Sequence, residues 1–188
     1  MKHILVVTHP EATHHVEGRV GGWHDSSLTT RGLAQAERIA ERLHDTISRD
    51  SQPEIYTSDL RRCLQTAEVI AARLQVPVQA TRDLREISYG EAEGKPQVWL
   101  DERYVFPPPG ENEQRLDHDF GITGAETRRD VAERLHQPAE VDPVEETGRV
   151  EEDRRPAGCV VAQGRLGRSR CKLQRGSART TDAFCYVS

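Results

Sequence analysis

The first residue of chemical interest is His9, which directly follows the β-favouring apolar run of residues 4–7. Such a run, closed by the helix breaker Pro10, is typical of a buried strand in a parallel sheet. Ligands of open α/β sheets bind beyond the carboxyl ends of such strands. A neutral imidazole placed there can attack phosphorus as a nucleophile. A lone histidine at a strand end is more often a surface or capping residue, so this assignment depends on the surrounding residues.

Three further blocks of sequence provide that context. Residues 9–36 read H-P-E-A-T-H-H-V-E-G-R-V-G-G-W-H-D-S-S-L-T-T-R-G-L-A-Q-A. Residues 58–67 read S-D-L-R-R-C-L-Q-T-A, and residues 84–94 read L-R-E-I-S-Y-G-E-A-E-G. In this order and spacing, the blocks resemble the histidine phosphatase, or phosphoglycerate mutase-like, superfamily. That family opens with R-H-G-E-[ST]-x-x-N and continues with G-R-x-x-G-W-x-D-x-x-L-T-x-x-G-x-x-Q-A. The resemblance covers residues 3–94, which is half of the chain.

The resemblance implies an α/β fold, with three α/β/α layers around a mostly parallel central sheet and a single domain over residues 1–188. It also implies hydrolysis of a phosphomonoester through a phosphohistidine on His9. Arg62 would bind the phosphoryl oxygens, since its planar fork matches a phosphate. Glu86 would protonate the leaving alkoxide and later deprotonate the attacking water.

Each of these assignments has a simpler alternative. Arg62 is also compatible with an ion pair on the surface of a helix. Glu86, Glu91 and Glu93 are all compatible with solvated charges on a loop, and only the family register singles out Glu86.

Further residues fall where the resemblance implies contacts with a small phosphorylated substrate: Thr8, His15, Gly21, Gly22, Tyr89, Lys95 and Gln163. Trp23 and Asp25 fall at positions that we expect to be structural.

The chain departs from the family pattern at several of these positions. Thr8 replaces an arginine, so one bidentate, charge-assisted phosphate contact is missing. Pro10 replaces a glycine, and His15 replaces an asparagine. No histidine follows His136, and the best match to the family's late V-x-H-G turn has Gln163 in place of its histidine. A protonated His15, or Arg19, is our candidate for the missing positive charge.

These departures leave two functions open. One is a phosphomonoester hydrolase that is impaired by Thr8 and by the missing second histidine. The other is a non-catalytic pseudo-phosphatase that binds a phosphorylated ligand or a partner in the same cleft.

Composition excludes several other classes of protein. The net charge is −5, which does not favour nucleic acid as a partner, and no apolar run reaches the roughly 20 residues of a membrane span. The N-terminus has no pattern of a signal peptide, which predicts a cytoplasmic protein. We expect no cofactor and no metal, because protein cations neutralise the phosphoryl group. The loop histidines could bind a divalent metal only adventitiously: His9, His14, His15 and His24.

Predicted strands and helices alternate along the part of the chain that carries these residues. This alternation indicates a parallel sheet with covering helices. We predict strands over residues 4–7, 54–57, 76–79, 159–162 and 183–187. We predict helices from Thr29 or Thr30 to residue 47, from Ser58 or Asp59 to residue 74, and over residues 97–105 and 123–136, with residues 111–120 as loop.

The character of the chain changes at residue 137. Residues 140–153 carry seven acids and one arginine, whereas residues 154–179 carry eight Arg or Lys and no acid. Poor periodicity over residues 137–182 is typical of a disordered segment or of a stretch read out of frame. A third interpretation is that the basic block of residues 154–179 is an arm that binds nucleic acid, although it has no recognisable motif. Resequencing the gene tests the out-of-frame explanation, because an intact frame through codons 137–180 excludes it.

Overall fold

The computed structural model describes residues 3–48, 51–109, 113–136, 142–143 and 183–187. The strands in these ranges are β1 (His3–Val7), β2 (Glu54–Thr57), β3 (Val78–Ala80), β4 (Asp142–Pro143) and β5 (Ala183–Val187). The helices are α1 (Thr13–Val16), α2 (Thr30–Thr46), α3 (Arg61–Leu74), α4 (Gln97–Asp101), α5 (Glu113–Leu116) and α6 (Arg128–His136).

The strands form one sheet in the order β1-β5-β2-β3-β4. All neighbours are parallel except β3 and β4, so the prediction of a mostly parallel sheet is confirmed. Val187 at the end of β5 aligns with Val7 of β1 and with Thr57 of β2. The carboxyl ends of these three strands therefore lie at one edge, and the residues after β1 and β2 start from that edge.

Of the two predicted N-terminal caps, the cap of α2 is confirmed and the cap of α3 is wrong. Thr29 caps α2 by accepting a hydrogen bond from the Gly32 amide at 2.9 Å. Neither Ser58 nor Asp59 caps α3, whose cap residue is Leu60 without a side-chain bond. The Asp59 carboxylate instead receives two hydrogen bonds from Arg85, at 2.5 and 2.6 Å. A tertiary ion pair has replaced the expected local cap.

The main core lies between the sheet and the helices α2 and α3. Ala40, Ile55 and Ile70 are fully buried there, and Val7 packs against this cluster. On the other face of β1, Ile4 and Val6 are 55% and 60% exposed. The prediction that β1 is buried on both faces is therefore wrong for the described part of the chain, where β1 is an edge strand.

A second apolar cluster joins the long connections after β3 to the loop that follows β1, which contributes Val20. Its buried members are Val20, Ala92, Leu100, Phe120 and Ile122. Helix α4 is shorter than predicted, α6 begins at residue 128 rather than 123, and the predicted loop of residues 111–120 contains the short helix α5. The late start of α6 has a local cause, because Thr127 and Asp130 bond reciprocally at the helix N-terminus.

The final strand over residues 183–187 is confirmed. The predicted strand over residues 159–162, together with Gln163, lies outside the described residues. In the described part of the chain, no helix combines the length and the hydropathy needed to span a bilayer.

Gly32 provides a test of how α2 packs against the loop that follows β1. A Cβ at this position would lie 2.0 Å from the Glu11 carbonyl oxygen. Alanine is intrinsically about 1 kcal/mol better than glycine in a helix, but overpacking costs about 1–3 kcal/mol. Because the clash is with a main-chain atom, the overpacking cost falls at the upper end of this range, and we expect Gly32→Ala to lower the free energy of unfolding by about 2 kcal/mol in urea denaturation. The control is Ala34→Gly on the exposed face of α2, which should cost about 1 kcal/mol through helix propensity alone. A Gly32→Ala protein as stable as the parent would contradict this packing.

Candidate functional site

His9 stands two residues beyond β1, and its two ring nitrogens have different partners. Nδ1 lies 2.8 Å from the Pro10 carbonyl oxygen. Because a carbonyl can only accept, Nδ1 carries the proton of the neutral ring. Nε2 is therefore unprotonated, and it accepts a hydrogen bond from Nε of Arg62 at 3.1 Å. The ring presents a nitrogen lone pair at the carboxyl edge of the sheet.

Arg62, in the first turn of α3, is fully buried. One terminal nitrogen donates to the Gly22 carbonyl at 2.7 Å, and the other donates to the His24 carbonyl at 2.8 Å. Together with the bond to His9, three of its five N–H groups thus have acceptors among the described residues. The simpler alternative for Arg62, a surface ion pair, does not fit this burial.

Burial and neighbouring charge keep His9 neutral. Desolvation is the main cause that lowers the pKa of His9 from 6.5 to about 4, and the positive charge of Arg62 acts in the same direction. The hydrogen bond to the Pro10 carbonyl raises the pKa but does not offset this effect. At neutral pH the imidazole is therefore uncharged, which is the form that can act as a nucleophile.

Glu86 completes a group of three side chains. Its carboxylate Oε2 lies 3.6 Å from a terminal nitrogen of Arg62, and the side chain is 39% exposed. The Glu86 carbonyl accepts a hydrogen bond from the Trp23 indole at 2.8 Å. An imidazole, a guanidinium and a carboxyl thus lie close together at the sheet edge, an arrangement that the resemblance of the three sequence blocks to the family implies.

His15 lies beside this group, with its ring stacked on His9 at 5.3 Å. Its Nδ1 accepts a hydrogen bond from the Ala12 amide at 3.1 Å, so the neutral ring carries its proton on Nε2. Burial, and then Arg62, lower the pKa of His15. In the unliganded protein this shift favours the neutral form of His15, so a protonated His15 as the missing positive charge stays a prediction without support here. Arg19 bonds to the Glu17 carboxylate and the Gly94 carbonyl.

His14 lies in the site, although the sequence suggested for it only an adventitious metal contact. It is buried, and its Nδ1 lies 2.6 Å from the Ser26 hydroxyl. Desolvation, followed by the charge of His15, lowers the pKa of His14 to about 3. Position 14 is variable in the family pattern, so only tertiary packing identifies this residue.

The nitrogens of His9, His14 and His15 lie within 4.8 Å of one another. A cation bound there would face the buried guanidinium of Arg62, 3.1 Å from the His9 nitrogen. This arrangement favours an anion over a metal ion. His24 is not part of the cluster.

The glycine pair shapes the site around Arg62 and His14. A Cβ on Gly21 would lie 3.0 Å from Nε2 of His14. Gly22 has φ +55, and a Cβ there would lie 3.0 Å from the Tyr89 ring. Both glycines allow the close approach that brings the Gly22 carbonyl to Arg62. Tyr89 itself is partly buried, in the second apolar cluster.

A cavity of about 600 Å³ opens beside His9. Thr8 is exposed and lines this cavity, where its side chain offers no charge. Arg38 of α2 also lines the cavity, although no sequence motif singles it out. Lys95 lies over the Trp99 ring at 3.7 Å and pairs with Glu91.

Comparisons with known proteins agree with this geometry. The sequence profile of the Histidine phosphatase superfamily (branch 1) matches residues 4–158. Phosphoglycerate mutase-like protein 4 of Arabidopsis thaliana is 39% identical over 93 residues, which is 48% of this chain and 39% of that protein. The uncharacterized phosphatase PhoE of Bacillus subtilis is 31% identical over 124 residues, 64% of this chain and 62% of that protein. The chain spans less than two thirds of either relative.

Solved structures give the same result. A mycobacterial glucosyl-3-phosphoglycerate phosphatase in its native form is 31% identical, with a TM-score of 0.54 over 70% of this chain and 58% of that one. The same phosphatase complexed with VO3 is 30% identical, with a TM-score of 0.57 over 71% and 61%. The α/β fold of the phosphoglycerate mutase-like type is therefore confirmed.

The protonation of His9 can be measured by ¹⁵N NMR of the imidazole nitrogens. We expect the Nδ1–H tautomer, because Nδ1 faces the Pro10 carbonyl, and no protonation step between pH 8 and pH 6, because burial lowers the pKa from 6.5 to about 4. His9→Gln assigns the resonance by its loss. A midpoint near 6.5 or an Nε2–H tautomer would contradict the geometry described above.

Proposed function

We propose that this chain, which belongs to the histidine phosphatase superfamily, hydrolyses phosphomonoesters through a phosphohistidine on Nε2 of His9. The observation that carries the proposal is the lone pair of His9, held at 3.1 Å from a fully buried arginine at the sheet edge. The substrate is a small phosphorylated molecule, and the proposed location is the cytoplasm.

In the first step, the lone pair of His9 forms a bond to phosphorus while the bond from phosphorus to the ester oxygen breaks. Glu86 transfers a proton to the leaving alkoxide, which departs as an alcohol. As the lone pair of Nε2 binds phosphorus, the Nε–H group of Arg62 loses its acceptor on His9 and donates to a phosphoryl oxygen instead. Together with the N–H groups that Gly22 and His24 do not engage, it stabilises the charge on the phosphoryl oxygens.

In the second step, Glu86 takes a proton from a water molecule, which attacks phosphorus. The bond between phosphorus and the nitrogen breaks, and its electron pair returns to His9. Throughout, the Pro10 carbonyl accepts a hydrogen bond from Nδ1–H of His9, which stabilises the positive charge that the phosphorylated ring acquires. Pro10 has no N–H group, unlike the glycine of the family pattern, but its carbonyl oxygen still binds the ring of His9.

His15 supports the same chemistry without carrying charge. Since its Nδ1 accepts from the Ala12 amide, its Nε2–H can donate to a phosphoryl oxygen. A neutral donor is weaker than the charged one that the family pattern places at position 8, where this chain has Thr8. Thr8 therefore also favours the second function, a non-catalytic domain that binds a phosphorylated ligand.

An aryl phosphate assay tests the enzyme proposal. We expect turnover by the parent protein and none above background for His9→Ala, together with an acid-labile phosphoprotein after rapid quench. Arg62→Ala should lower kcat by about 10²–10³, which is typical for the loss of one transition-state donor. The matched control is Arg61→Ala, because the neighbouring Arg61 side chain is 61% exposed. It should change kcat by less than about twofold, as expected of an exposed ion pair.

The outcome also distinguishes the two functions, provided that circular dichroism shows all variants folded. Turnover by the parent protein no higher than that of His9→Ala would overturn the hydrolase. If inorganic phosphate still binds in calorimetry and Arg62→Ala abolishes the binding, the non-catalytic function replaces it.

A further inference from the structure

The segment that carries Glu86 is held from one side by Arg134 of α6, whose side chain is 13% exposed. One terminal nitrogen of Arg134 donates to the Asp83 carbonyl. The other donates to the Arg85 carbonyl at 2.7 Å and to the Glu86 carbonyl at 3.2 Å. A single guanidinium thus binds three carbonyls within four consecutive residues of the loop.

Glu126 extends this contact to the other side of Glu86. Its carboxylate accepts from Arg134 at 2.9 and 3.2 Å and from the Ser88 amide at 2.8 Å. Both members of the ion pair are largely buried, since the Glu126 side chain is 16% exposed. The Glu126–Arg134 pair therefore binds the main chain both before and after the proposed general acid.

The Glu86 carbonyl links the Glu126–Arg134 pair to the proposed anion site around Arg62. The Glu86 carbonyl accepts from Arg134 and also from the Trp23 indole. Trp23 follows Gly22, whose carbonyl holds Arg62. The main chain at residue 86 is thus fixed relative to the guanidinium from two directions. The Glu86 side chain is 39% exposed, and its Oε2 lies 3.6 Å from a terminal nitrogen of Arg62.

We propose that the Glu126–Arg134 pair positions the Glu86 carboxyl for proton transfer to the leaving group. The inference rests on the hydrolase proposed above and makes Arg134 a positioning residue that acts through Glu86. General acid catalysis needs the donor within hydrogen-bond reach of the leaving oxygen. A displacement of 1 Å can cost about 10²-fold in rate, so the position of this loop determines how well the proton is delivered.

The dependence on the leaving group separates positioning from a merely structural role. A nitrophenolate leaves without much help from an acid, whereas an alkoxide needs a proton. We expect Arg134→Gln to lower kcat for an alkyl phosphate such as glycerol phosphate by about 10–100-fold. The change for nitrophenyl phosphate should stay within about threefold. Glu86→Gln should give the same pattern, and the double variant should lose little more than either single variant.

The matched control is Arg129→Gln, on the same helix. Arg129 pairs with Asp117 and Glu113, so the variant removes an ion pair of α6 without touching residues 83–88. It should leave the ratio of the two kcat values unchanged. Arg134→Lys is a second variant in case Arg134→Gln does not fold. Lysine keeps the charge beside Glu126 but lacks the planar fork, so we expect an intermediate ratio.

The possible failures are distinguishable. If parent turnover equals that of His9→Ala, the hydrolase fails and the positioning role fails with it. If the parent is active but Arg134→Gln, or Arg134→Lys in its place, lowers kcat equally for both phosphates, only the positioning role is overturned. Independent, multiplicative losses in the double variant with Glu86→Gln would overturn it too.

Discussion

The structure depends on one buried positive charge, the guanidinium of Arg62. A buried guanidinium is tolerated only when its N–H groups find acceptors, since an unpaired charge in the interior is strongly destabilising. Here the acceptors are the Gly22 and His24 carbonyls and Nε2 of His9. Satisfying this one side chain fixes the conformation of the loop before α2 and ties it to the first turn of α3. Gly22 has φ +55, a backbone conformation that residues with a side chain rarely adopt. A glycine at this position therefore lets the loop bring the Gly22 carbonyl to Arg62.

The same charge sets the protonation of the imidazoles around it. Burial is the first cause of the lowered pKa at His9, His14 and His15, and Arg62 contributes at each of them. The result is a site with a fixed cation and neutral rings, rather than several partly protonated ones. Such a site is suited to a nucleophilic nitrogen beside an anion. It also means that the departures from the family pattern near Thr8 are not offset by protonated histidine in the unliganded protein.

The position of Glu86 depends on contacts between distant parts of the chain. Glu86 is on a connection between secondary-structure elements, and loops are often mobile unless their main chain is bonded. Trp23 from the glycine-rich loop and Arg134 from α6 both bind its carbonyl. The second apolar cluster, around Leu100 and Ile122, lies in the same connections. The residues after β3 thus form a support for the site rather than a simple link between strands.

Sequence alone was sufficient for β1, β2 and most of α2 and α3, because these elements rest on local periodicity. That His9, Arg62 and Glu86 lie near one another was implied only by the resemblance of three sequence blocks to a known family. Only the tertiary structure decided that Asp59 pairs with Arg85 instead of capping a helix, that His14 belongs to the site, and that its neighbours are neutral. The bond between Arg62 and His9 spans 53 residues. Burial and charge at such a contact depend on which distant residues meet, and that information is not contained in any local pattern.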